Sequence, residues 1–359
     1  MKKIIKYLVV FLMIFSISSC GNQEESSIQN SVIPSESILP SSSESSIVSS
    51  SSKEEVLDNV NPFISSTGKP LLCAHRGGSV NNPENTLKAY KYAVEECQTD
   101  ILESDAYLTK DNQLVLLHDS TVDRTSDAKT YLGKSNLTPG SMTLDELKTL
   151  NFGYNFKSPE GETPYKNIVT SGMSVEQRKE IIAQNEVSIL TLDELLGYFY
   201  QEHKELLFVI EIKNSGVAGQ KAADIISQLL VKYSDYKNRL VVGTFNGEVE
   251  NYLNTNYPHI LTGASTSVAE KFVKKELLGM PVTATYDFSC LQIPTTYSMS
   301  GTTVNLIDSK LIDAAHKNNI AVQYWTINDE ATMKSLIKTD CDAIMTDNPK
   351  LLREILNLE

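Results

Sequence analysis

The chain has 359 residues, 41% of them hydrophobic and 21% charged, and its first quarter differs so sharply in composition from the rest that the length supports one large domain with appendages. Its formal net charge is −13. Without Lys2, Lys3 and Lys6 of the leader it is −16, and setting aside the six Glu and one Lys of residues 20–56 leaves −11 on residues 57–359. That excess argues against nucleic acid or an anionic bilayer face as the domain's partner, and an anionic substrate would need a bound cation or an Arg/Lys cluster to reverse the field at its site.

Residues 1–19 carry those three lysines, an apolar stretch from Tyr7 to Ile17 and then Ser18-Ser19 before Cys20, the pattern of a secretory signal rather than of a membrane-spanning helix. Ile17-Ser18-Ser19-Cys20, with Gly21 after it, also resembles a bacterial lipoprotein cleavage box, in which cleavage frees Cys20 to carry lipid. Acyl chains there would hold the protein to the membrane at about 0.8 kcal/mol per buried methylene. Plain secretion with an incidental cysteine is the alternative. Residues 21–56 are dominated by serine and lack the apolar content that offsets the entropy of ordering. They read as a tether with an end-to-end distance of roughly 35 Å. The expected location is the extracellular face of the cell membrane, with the folded domain over 57–359.

Apolar, often β-branched runs recur at 71–74, 101–102, 114–117, 206–212, 240–243, 260–263, 290–293, 321–327 and 343–346. Helical patterns lie between most of them. Leu87, Tyr90, Val94 and Cys97 form a stripe at helical spacing, and Thr143-Leu-Asp-Glu146, Ser174-Val-Glu-Gln177 and Thr191-Leu-Asp-Glu194 are capping boxes. Strands alternating with helices predict an α/β domain with a parallel sheet buried on both faces, here an eight-stranded barrel. Nine runs are one too many, and the suspects are 260–263 and the last. Residues 101–105 and 114–118 can still be parallel, because the chain between them can return to the bottom of the barrel. Residues 124–188, poor in strand signals, form an insertion after the third strand, over one barrel end. Cys73, Cys97, Cys290 and Cys341 sit in apolar contexts and read as small buried residues, with a disulfide left open for an exported protein.

The chemistry concentrates at the ends of the strand-like runs. Glu103 and Asp105, two apart, face the same side of an extended segment, and Glu211 ends the run LLFVIE. Three carboxylates suit a hard cation such as Ca²⁺ or Mg²⁺; the alternative is a structural ion network of Glu211 with Lys213 or Arg76. His75 and His118 both follow apolar runs, on strands one and three, where one could take a proton and the other supply one. Arg76 and Lys213 add fixed positive charge matching the non-bridging oxygens of a phosphate. Gly77-Gly78 suggests backbone passing near the site, and Pro83 with Glu84-Asn85-Thr86 starts and caps a helix, with Glu84 able to orient a neighbour. His203, His259 and His316 lie among polar residues and receive no role.

His75-Arg76-Gly77 with Pro83-Glu84-Asn85-Thr86, Glu103-x-Asp105, Thr109-Lys110-Asp111, His118-Asp119, Asp123-Arg124-Thr125, Ile210-Glu211-Ile212-Lys213, Trp325-Thr326-Ile327-Asn328 and Ile344 through Pro349 together resemble the glycerophosphodiester phosphodiesterase family over about residues 70–356. The resemblance implies a TIM-type (β/α)8 barrel, a divalent cation on Glu103, Asp105 and Glu211, and an acid/base pair of His75 and His118. It also implies phosphate contacts from Arg76 and Lys213, with Trp325 and Gln292 lining the glycerol or head-group side. Asn112 stands where the family usually has glycine, Ala106 where valine is common, and Leu190 where proline often precedes the capping box.

The expected activity is hydrolysis of glycerophosphodiesters to glycerol 3-phosphate and an alcohol. Its rivals are a phosphodiesterase for lysophospholipids or glycerol-phosphate polymers, and a lipoprotein that binds phosphodiesters without cleaving them.

Overall fold

The structure, a computed structural model, describes residues 61–284, 286–299 and 301–358; the leader, Cys20 and the tether lie outside these. Eleven strands occur among the described residues: β1 (Leu71–Ala74), β2 (Ile101–Leu108), β3 (Leu114–Leu116), β4 (Leu207–Ile212), β5 (Leu240–Gly243), β6 (Leu261–Thr262), β7 (Cys290–Ile293), β8 (Thr296–Met299), β9 (Thr302–Asn305), β10 (Ala321–Tyr324) and β11 (Ala343–Thr346). Eight of them pair in parallel in the order β6-β5-β4-β2-β1-β11-β10-β7, and a parallel bridge between Gly263 and Cys290 brings the two edges together. The result is a nearly closed barrel with helices between its strands, as expected of parallel strands that need crossover connections.

Alternation along the strands sorts the residues into two layers. Leu72, Leu102, Phe208, Ile210, Leu291, Val322 and Ile344 face outward into the large core shared with the helices, whereas Cys73, Ile101, Leu207, Val209, Val241, Cys290, Ala321, Ala343 and Met345 fill the barrel. Phe63, fully buried, packs into this inner cluster, and Asn61 beside it donates to the carbonyls of Ser289 and Asn319 at 2.6 and 3.0 Å. The inner cluster is apolar toward the strand N-termini. The inward positions that follow it in the same parity are His75, Glu103, Asp105, Glu211, Gln292 and Trp325, so the barrel interior becomes polar only toward the C-terminal ends of its strands.

Two expectations about the strands are overturned. The run outside the barrel is 114–117, not 260–263 or 343–346, which are β6 and β11. Nor does it run parallel to β2: Ala106 pairs with Leu116 and Leu108 with Leu114 in an antiparallel ladder. Five residues close this hairpin, with Thr109 N bonded to the Gln113 carbonyl at 2.8 Å, and a connection so short permits only the antiparallel return. Asn112 has φ +62° in this turn, a conformation that asparagine tolerates better than other non-glycine residues. The antiparallel hairpin β8–β9 stands apart from the barrel, and no reading of the sequence above anticipated it.

Residues 124–188 contain no strand. Their helices include Ala128–Leu132, Leu144–Leu147 and Val175–Gln184, and Leu147, Leu150 and Phe152 join Val115, Leu117 and Ile189 in a separate apolar cluster. Arg178 and Asp127, both buried, form an ion pair there. In barrel terms the segment lies between the second and third parallel strands. All three capping boxes form, each hydroxyl accepting from the backbone N–H three residues on. The four described cysteines are free and buried.

Candidate active site

His75 follows β1 directly, in a single tight turn over His75–Gly77 in which Arg76 takes a left-handed conformation (φ 55°, ψ 28°). The Arg76 amide donates to Glu103 Oε2 at 2.9 Å, so the turn is held by the neighbouring strand's carboxylate. The glycines serve this turn rather than approach to the site. Gly78 has φ +91°, and a Cβ there would lie 2.6 Å from the Pro349 ring.

His75 Nδ1 lies 2.7 Å from Asp347 Oδ1. A carboxylate only accepts, so Nδ1 carries the proton, and Nε2 points toward Glu103 Oε2 at 3.9 Å. Asp347 is itself fixed by Asn328, whose Nδ2 donates to Oδ2 at 2.7 Å while its Oδ1 accepts from the Asp347 amide at 2.9 Å. His118, just beyond β3, is oriented in the same way: its Nδ1 lies 2.8 Å from Asp119 Oδ1. Arg124 Nε donates to Asp119 Oδ2 at 2.5 Å, and the same guanidinium grips Glu84 through two bonds of 2.7 Å. Glu84 reaches on to Arg76 Nη1 at 3.3 Å. Each imidazole is therefore aimed by a carboxylate that another polar group anchors.

Glu103, Asp105 and Glu211 converge, with ligand oxygens all within 4.8 Å of one another. Lys213 Nζ lies 3.0 Å from Asp105 Oδ1 and 2.9 Å from Glu211 Oε1, which realises the ion pair of Glu211 with Lys213 and still leaves the second oxygen of each carboxylate. Arg76 Nε is 3.3 Å from Asp105 Oδ2, near enough for an ion pair but misaligned for a hydrogen bond; both atoms are buried without a hydrogen-bond partner. An orphaned carboxylate oxygen in an all-oxygen cluster fits a hard dication such as Ca²⁺ or Mg²⁺.

The electrostatics follow from burial and these partners. Burial, reinforced by the Asp105 charge, pushes the Glu103 carboxyl up to about 8, and burial likewise raises Glu211 against the pull of Lys213. The upward shift of both carboxyls is what a three-carboxylate cluster undergoes without an added positive charge. Burial opposes the charged form of His75, but the Asp347 hydrogen bond and the Glu103 charge outweigh it and the ring shifts upward. His118 shifts downward, because burial there exceeds the help of Asp105 and Asp119. Burial also works against the Asp347 carboxylate, yet its bond to His75 carries it down to about 2.

His75, Arg76, Glu103, Asp105, His118, Glu211, Lys213, Gln292 and Trp325 all line one cavity of about 280 Å³ at this end of the barrel. Gln292 Nε2 donates to Gln323 Oε1 at 3.0 Å, and the missing side chain of Gly263 makes room for its Oε1. Trp325 lines the cavity, and its Nε1 is buried without a hydrogen-bond partner. Cys20 lies outside the described residues.

The model of the glycerophosphoryl diester phosphodiesterase family matches residues 75–351. The chain belongs to that family. It is 28% identical over 284 residues to a glycerophosphodiester phosphodiesterase of Caldanaerobacter subterraneus subsp. tengcongensis, covering 79% of this chain and 96% of that one. Among solved structures, the glycerophosphoryl diester phosphodiesterase domain of a Mycobacterium tuberculosis protein aligns with a TM-score of 0.60 at 18% identity, over 80% of this chain and 99% of that one. An Oleispira antarctica phosphodiesterase, solved in complex with the product sn-glycerol 3-phosphate, aligns with a TM-score of 0.56 at 21% identity, over 80% and 97% of the two chains. The protein is thus a phosphoric diester hydrolase on the family's barrel.

Asp347, Asn328 and Arg124 received no role from the sequence although all three lie within family motifs. The register that sets Ala74 beside Thr346 makes His75 and Asp347 neighbours, and no spacing within one strand reveals that. Phe245, which also lines the cavity, follows β5 with no motif to mark it.

Proposed function

We propose that the protein hydrolyses glycerophosphodiesters to glycerol 3-phosphate and an alcohol, with His75 and His118 as the acid/base pair and Glu103, Asp105 and Glu211 holding Ca²⁺ or Mg²⁺. The observation that carries this reading is the convergence on one cavity of two carboxylate-oriented imidazoles, three carboxylates and two basic side chains. Capture without cleavage would need no oriented proton donor. When bound, the cation supplies positive charge to the phosphate oxygens and to the charge that builds on five-coordinate phosphorus.

The chain's own groups do the rest. Arg76 and Lys213 hold non-bridging oxygens and favour the transition state over the singly charged ground state. Because Asp347 and Asp119 keep the Nδ1 protons, both rings exchange protons through Nε2: one takes a proton from the attacking hydroxyl and the other gives one to the departing alcohol oxygen. Trp325 forms part of the wall of the cavity on the glycerol or head-group side.

The test is hydrolysis of glycerophosphocholine by the purified protein, with chelator and then with metals restored singly. Choline release that stops with chelator and returns with Ca²⁺ or Mg²⁺ is expected; release unaffected by chelation would sink the metal assignment, and binding with no release at all would sink the reaction. The lipid anchor on Cys20, with the domain at the outer face of the cell membrane, belongs to the same proposal and rests on the leader sequence alone.

A further inference from the structure

A second cavity, about 260 Å³, opens beside the first and shares Phe245, Ala264, Gln292 and Trp325 with it. Its other walls are of different chemistry. Ala269 comes from the helix Thr266–Phe272, Val273 from the turn that continues it, Ile293 from the end of β7 and Leu306 from just past β9, and all four are nine-tenths buried or more. Tyr297 of β8 completes this wall, so the hairpin that no reading of the sequence anticipated has a place in the molecule. Two of the polar side chains on its walls are already engaged: the Glu270 carboxylate is paired with Lys274 at 2.8 Å, and Gln292 donates to Gln323 at 3.0 Å.

A polar ligand gains little in such a space, whereas an alkyl chain gains by leaving water. Small polar arms such as glycerol or choline do not need it. Its continuity with the charged cavity, through two aromatic rings whose centroids lie 6.3 Å apart, indicates that one molecule reaches into both.

We propose that the second cavity is a subsite for a single apolar chain carried on one ester arm of the phosphodiester whose phosphate sits between His75 and His118. This rests on the function proposed above and narrows its substrate class to single-chain amphiphilic phosphodiesters. The chain could be carried by the glycerol or by the alcohol that leaves.

Two homologous series separate those cases: 1-alkylglycerophosphocholines and glycerophosphoalkanols, from methyl to octyl, assayed on the purified protein below their micelle concentrations. In one series kcat/KM is expected to rise by up to about fourfold per methylene and then level off as the cavity fills. Ala269→Phe, which fills the cavity, should flatten that rise, and Val273→Ala, which enlarges it, should move the plateau to longer chains. A flat profile in both series, or a rise that neither substitution alters, overturns the proposal. Binding is read separately through the emission of Trp325, the chain's single tryptophan, on titration with methyl- and octylphosphocholine. Tighter octyl binding without any hydrolysis would leave the subsite standing and remove the reaction; hydrolysis of glycerophosphocholine with equal binding of the two probes would do the reverse.

Discussion

His75 and His118 differ in what surrounds them more than in where they sit. Both border the same cavity and both are aimed by a carboxylate on Nδ1, yet His75 is drawn toward its charged form and His118 away from it. His75→Ala or His118→Ala is expected to lower turnover by about 10²-fold or more with the far-ultraviolet circular dichroism unchanged, as loss of a positioned acid or base does. Near-normal turnover in both variants would remove the mechanism. Asp347→Asn makes a sharper distinction. Asp347 favours the imidazolium, so its loss lowers the pKa of His75, and the limb of the pH profile of kcat/KM that reports His75 should move to lower pH while the other limb stays. A profile that drops in height without moving would reduce Asp347 to packing. These two rings were visible in the sequence as residues after apolar runs; Asp347 was not, because its partnership is made by the pairing of two strands 272 residues apart along the chain.

At the scale of elements, close approach decides what periodicity leaves open. Thr86 caps the helix that starts at Leu87, its hydroxyl accepting from Ala89, and the helix sits so near the β1 turn that a Cβ on Gly77 would meet Ala89 and Tyr90 at 3.0 Å. Gly78 is tighter still against Pro349 and also needs its positive φ. Gly78→Ala is therefore expected to cost about 2 kcal/mol of stability in denaturant unfolding, since strain and overpacking act together. An unchanged midpoint would show that the Pro349 segment yields. Apolar runs and capping boxes were legible because burial and amide satisfaction are local demands. The direction of 114–117 was not legible from its composition, since an apolar run reads alike in a parallel or an antiparallel ladder; the short turn before it decided the matter.

For the molecule as a whole, the proposed anchor and the barrel belong to different stretches of chain. If Cys20 carries lipid, Cys20→Ala should move the protein from the membrane fraction to the soluble one while leaving glycerophosphocholine hydrolysis by the domain intact; retention in the membrane would refute the anchor. The sequence by itself determined the alternation of strand and helix, the inward parity of Glu103 with Asp105 and of Glu211 with Lys213, and the family motifs, because each is a relation between residues close along the chain. Tertiary structure alone decided that β1 lies between β2 and β11, that Asp347 thereby meets His75, that Glu84 and Arg124 link the two histidine clusters, and that an apolar cavity adjoins the charged one. Those are relations between segments up to 272 residues apart, and closure of the barrel is what brings them within reach.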